Sequence, residues 1–98
     1  MTANFKNQVE ENLDTLLQLQ PDRPLMVMEY WTGWFDHWLA GIHSTFSPEK
    51  FADNLETIMK YNSSVNMYMF IGGTSFGFMA GANTVDIWPH YAPIVSSY

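Results

Sequence analysis

The chain has 98 residues, 47% of them apolar and 16% aromatic, with no cysteine and a formal charge of -6. That length bounds it to one small domain with a modest core, and the missing cysteines exclude disulfides as a staple. Four Lys and Arg against ten Asp and Glu leave no basic patch for nucleic acid or anionic lipid, and the longest apolar runs fall far short of the roughly 20 residues of a membrane-spanning helix.

Residues 5 to 19 carry Phe5, Val9, Leu13, Leu16 and Leu17 at a spacing that predicts a helix with one apolar face. Glu10, Glu11, Asp14 and Gln18 then face water. Pro21 and Pro24 stop it, because proline restricts the residue before it and cannot donate into the helical ladder. Leu25 to Tyr30 has apolar groups at both parities, which predicts a parallel strand buried on both faces.

Ser47, Pro48 and Glu49 announce a second helix: serine caps the free amides, proline suits the first turn, and glutamate complements the dipole. Phe51, Leu55, Ile58 and Met59 continue it to about Tyr61 and Asn62. Val65 to Ile71 alternates, with Val65, Met67, Met69 and Ile71 on one face and Asn66, Tyr68 and Phe70 on the other, before Gly72 and Gly73 end the strand. Helix, strand, helix, strand implies an α/β fold with parallel strands joined by a right-handed crossover. Two such strands cannot cover their own edges and faces. From Tyr61 to Tyr98 the single ordinarily charged side chain is Asp86, a composition that belongs inside a protein. The chain therefore reads as a slice of a larger α/β domain.

Glu29 falls at the end of the first strand among apolar neighbours. A carboxylate there is costly to desolvate unless it is paired or used. A structural ion pair and a functional group at a strand end both fit. Trp31, Trp34, Phe35 and Trp38 follow closely; such rings either pack a core or stack on the C–H faces of a sugar while an indole N–H donates to a hydroxyl. Gly72 to Gly77 lacks the spacing of a phosphate loop. His37, His43 and His90 lack the close helical spacing of zinc ligands, so no metal site is expected. Asp36 and His37 read as hydrogen-bonded loop structure. Neither a nucleophile elbow nor a thiol is present for those modes of catalysis. Asn62-Ser63-Ser64 matches the N-glycosylation pattern.

The block Pro24 to Trp38 (PLMVMEYWTGWFDHW) and, one helix later, Val65 to Asn83 (VNMYMFIGGTSFGFMAGAN) resemble the β-galactosidases of glycoside hydrolase family 35, with weaker similarity over most of the chain. That resemblance implies a (β/α)8 TIM barrel, of which residues 1–98 would be a C-terminal part holding strands seven and eight with their flanking helices. It also implies that Glu29 is the nucleophile at the end of strand seven, that Trp31 and Trp34 match aromatic positions of the galactose pocket, and that Tyr68 matches a pocket tyrosine at the end of strand eight. A β-galactoside is the implied substrate, with no cofactor. The implied compartment is lysosomal or extracellular, with any signal peptide lying upstream.

Ser75 stands where the family has asparagine, and Leu39 to His43 and Thr84 to Ser97 fit less well. The family's general acid/base, the glutamate of an Asn-Glu pair at the end of strand four, has no counterpart in these residues. A retaining glycosidase needs both carboxylates, so the expectation is a parent hydrolase whose 98-residue piece is inactive alone. A galactoside-binding protein of the same fold that has lost catalysis is the alternative.

Overall fold

The computed structural model describes residues 1–73, 75–84 and 91–95, which form two compact units: residues 1–32 with 46–68, and residues 33–45 with the described part of 69–98. The first unit is a three-stranded sheet with two helices, in the order β1 (Ala3–Phe5), α1 (Val9–Leu19), β2 (Met26–Trp31), α2 (Pro48–Lys60) and β3 (Ser64–Tyr68). β2 lies between β1 and β3 and is parallel to both. Two successive crossovers in one direction across a parallel sheet put both helices on the same face when each is right-handed. A shared core bears this out, with Phe5 of β1, Val9 and Leu13 of α1, Val27 and Tyr30 of β2, and Ile58 of α2 buried together.

α2 begins and ends for local reasons. Ser47 takes extended geometry before α2 and its hydroxyl accepts from the Lys50 N–H at 3.3 Å, with Pro48 in the first turn. At the other end the Asn62 N–H donates to the Met59 carbonyl at 2.9 Å and the Ser63 N–H to the Ile58 carbonyl at 3.4 Å. This pair of bonds closes the helix when the residue after the cap is left-handed, and Asn62 has φ 52°. The candidate glycosylation asparagine is thus an exposed helix-terminal residue. Ser47→Ala removes the cap and is expected to cost about 1 kcal/mol, measurable as a lower urea midpoint of the full-length protein.

The α/β class holds, with three differences from the sequence expectation. Residues 3–5 form a strand, so the first helix begins at Val9 rather than near Phe5. Phe5 still reaches the core because the chain turns through Gln8, at a left-handed φ of 56°, and enters the helix beside it. β3 stops at Tyr68 instead of Ile71. Finally, β2 is buried on its helix face at Val27 and Tyr30, while Met28 is 46% exposed.

The second unit holds a short 3-10 turn at Gly77–Met79 and an antiparallel pair, β4 (Ala82–Thr84) with β5 (Tyr91–Pro93). His37 bridges to Ile94. Asp86, His90 and most of the stretch Thr84 to Ser97 lie outside the described residues. No helix among the described residues is long and apolar enough to cross a membrane.

Candidate active site

β2 carries one more residue than either neighbour at its centre. Against β3, Val27 pairs with Val65 and Tyr30 with Met67, three steps on one strand against two on the other. Against β1, Val27 pairs with Ala3 and Glu29 with Asn4, two steps against one. An extra residue in one strand is a bulge, and it reverses which parity faces which side. Without it, residue 29 would share the face of Val27 and point into the helix layer. With it, Tyr30 takes the core position and Glu29 turns to the other face. The Asn66 side-chain amide donates to the Met28 carbonyl at 3.0 Å, satisfying a backbone group at the distortion.

Beyond the bulge, strand alternation puts Glu29 and Trp31 on one side, two residues apart. The Trp31 indole N–H donates to Glu29 Oε2 at 3.1 Å. Trp31 is the register partner of Tyr68 on β3, so aligned positions of two strands bring three of the four sequence-indicated residues to one sheet end. All three are half-buried. Thr32 fastens this end, its N–H donating to the Tyr68 carbonyl at 2.9 Å and its hydroxyl to the same oxygen at 3.4 Å. Glu29 is therefore a strand-end carboxylate with one oxygen hydrogen-bonded, an arrangement able to act as nucleophile or base.

Tyr30 anchors the backbone between Glu29 and Trp31. Its ring is fully buried, stacked on Phe51 at 5.2 Å and edge-on to Phe5 at 6.5 Å. Its hydroxyl donates to the Phe51 carbonyl of α2 at 2.9 Å. Burial pushes the phenol above its ordinary value.

Trp34, the fourth residue, belongs to the second unit, where its ring lies 4.6 Å from that of Phe35. Phe35 meets His37 edge-on at 5.3 Å, and the His37 Nε2 pairs with Asn83 Oδ1 at 2.9 Å. Asp36 accepts from the Ser44 N–H and pairs with His43. Those two partners, Ser44 first, hold its carboxyl below the ordinary value. The loop structure expected of this segment is present, with Asp36 bonded to residues 43 and 44. Among the described residues no three His, Asp or Glu side chains converge as metal ligands would.

Asn66 and Thr32 were not singled out in the sequence. Asn66 sits at an ordinary polar position of an alternating strand, and its partner is a carbonyl freed by a bulge that no glycine or proline marks.

A parallel α/β unit with a carboxylate and aromatic side chains at the C-terminal end of its strands has the form of a β/α enzyme site. Residues 1–98 match the glycosyl hydrolases family 35 throughout, and the chain belongs to that family. It is 47% identical over 98 residues to a beta-galactosidase of Xanthomonas manihotis, an alignment covering 98% of the chain and 16% of that relative. With beta-galactosidase-1-like protein 3 of Mus musculus it shares 38% identity over 97 residues, covering 99% of the chain and 14% of the relative. With beta-galactosidase-1-like protein 2 of Homo sapiens the identity is 46% over 83 residues, 83% of the chain and 13% of the relative. The chain thus spans less than one fifth of the length of these relatives.

Proposed function

We propose that this chain is part of the catalytic (β/α)8 barrel of a retaining β-galactosidase that removes terminal β-D-galactose from glycoconjugates, and that Glu29 is its nucleophile. β2 and β3 are then strands seven and eight, with β1 in the place of the strand before them. The observation that carries the reading is the bulge in β2, which turns Glu29 away from the helix layer to a strand end in a member of a glycosyl hydrolase family. Bulges beside active sites commonly re-aim a side chain in this way.

In the reaction, a Glu29 oxygen attacks the anomeric carbon while a protonated carboxyl roughly 5 Å away delivers a proton to the departing oxygen. Water then releases the sugar from the ester with that partner acting as base. Trp31 and Tyr68 line the galactose site, where ring faces meet the apolar face of the sugar; for Trp34 the same role rests on the family resemblance alone. The partner carboxyl is supplied by another part of the barrel, so the 98 residues alone are inactive. Membership of this family also supports a lysosomal or extracellular location for the whole protein.

The test is covalent trapping. The full-length protein incubated with 2,4-dinitrophenyl 2-deoxy-2-fluoro-β-galactoside is expected to gain one fluorogalactosyl group, recovered on the peptide that contains Glu29. Label on another carboxylate removes Glu29 as nucleophile. Galactose binding with neither labelling nor turnover makes the protein a non-catalytic galactoside-binding protein instead.

A further inference from the structure

We infer that Trp31 is a positioning residue for Glu29, holding Oε2 through its indole N–H so that Oε1 is the oxygen presented to the anomeric carbon. The inference rests on the reading of Glu29 as nucleophile and goes beyond it, because the polar edge of Trp31 is given to the carboxylate and not to a sugar hydroxyl.

Three observations carry it. The indole N–H is a donor without acceptor capacity, and in this structure it lies 3.1 Å from Glu29 Oε2. The two residues are separated by one residue on a strand, so the backbone fixes their spacing and shared face. Their backbone is in turn held from both sides: Tyr30 between them is fully buried, and Trp31 is aligned with Tyr68 in the ladder to β3. A carboxylate rotates freely about its last side-chain bond unless one oxygen is fastened. Fastening Oε2 from a strand-borne ring removes that freedom before substrate arrives, the condition for a near-attack geometry.

The step itself is ordinary displacement. An electron pair of Oε1 forms the bond to the anomeric carbon as the bond to the aglycone oxygen breaks, and a dinitrophenolate leaves as the anion without needing a proton.

The experiment uses the full-length protein and 2,4-dinitrophenyl β-galactoside. Trp31→Phe keeps an aromatic ring and deletes the donor. Losing a hydrogen bond to a charged group is expected to lower kcat for galactosylation roughly 10- to 100-fold, with KM changed by less than about twofold. The decisive background is Glu29→Gly with azide as external nucleophile, where azide nitrogen bonds to the anomeric carbon and α-galactosyl azide accumulates. If Trp31 acts through Glu29, adding Trp31→Phe there changes the azide rate by less than about threefold. The same loss in both backgrounds, or a raised KM with unchanged kcat, makes the Trp31 N–H a donor to a sugar hydroxyl and overturns the inference. Glu29→Gly that is fully active, or that azide does not rescue, overturns the nucleophile reading first. Should Trp31→Phe fail to fold, 3-benzothienylalanine at position 31 replaces the N–H by sulfur at nearly constant volume and decides the same outcomes.

Discussion

Glu29→Gln in the full-length protein is expected to reduce kcat for an aryl β-galactoside by a factor on the order of 10⁴ to 10⁶, the range seen when a covalent nucleophile is removed. The substitution keeps volume and shape. It also keeps an oxygen able to accept from the Trp31 indole, 3.1 Å from Oε2 in this structure, so the strand end is not disturbed. What remains facing the sugar is an amide nitrogen whose electron pair is delocalised into the carbonyl. Stability should stay within about 0.5 kcal/mol of the parent, because the half-buried side chain is replaced by one that satisfies the same donor. Comparing steady-state release of the phenol with the urea midpoint separates lost chemistry from lost folding. Turnover near the parental rate in a folded Glu29→Gln protein would sink the assignment.

The sequence announced the elements whose signals are local. Ser47-Pro48-Glu49 announces the start of α2 because a cap is determined within one turn, and the observed Pro48–Lys60 span stops just before Tyr61 and Asn62, where the apolar periodicity ends. β1 was hidden by its own core residue: Phe5 lies four positions before Val9 and fits the helical spacing, yet it reaches the same core from a three-residue strand. Its strand character comes from pairing with β2, a partner more than twenty residues away, and no local pattern encodes that. The even mixture of apolar parities in β2 predicts burial on both faces. The physical origin is partly the bulge, which moves the core position from odd to even residues between Val27 and Tyr30.

The same distortion decided how much of the site could be read. Glu29 was visible as a carboxylate out of place in an apolar run, and Trp31 as an aromatic close behind it. Their hydrogen bond was not visible, because a spacing of two states that residues share a face without stating which face. Asn66 was invisible for a related reason. Its amide has a role at the Met28 carbonyl once the extra residue exists, and until then it is one polar residue in an alternating strand.

Tyr30→Ala is expected to be the most destabilising single change in the first unit, at about 3–5 kcal/mol. The ring is fully buried, and its loss opens a cavity between Phe5 of β1 and Phe51 of α2, the rings it touches at 6.5 and 5.2 Å. Tyr30→Phe isolates the hydroxyl: it keeps both ring contacts and drops the 2.9 Å bond to the Phe51 carbonyl, for an expected loss near 1 kcal/mol. The phenol also gives a pH signature. Burial raises its folded pKa above the ordinary phenol value of 10.0, so the unfolded state releases this proton first as pH rises. The contribution is fully present below pH 10.0 and is lost as pH climbs from there through the folded pKa. Urea midpoints taken from pH 8 upward should therefore fall less steeply in Tyr30→Phe than in the parent, and equal slopes would mean that Tyr30 is not the buried phenol described here. Because Tyr30 lies between Glu29 and Trp31, Tyr30→Ala should also lower kcat in whatever fraction remains folded, whereas Tyr30→Phe, which keeps the ring in place, should not.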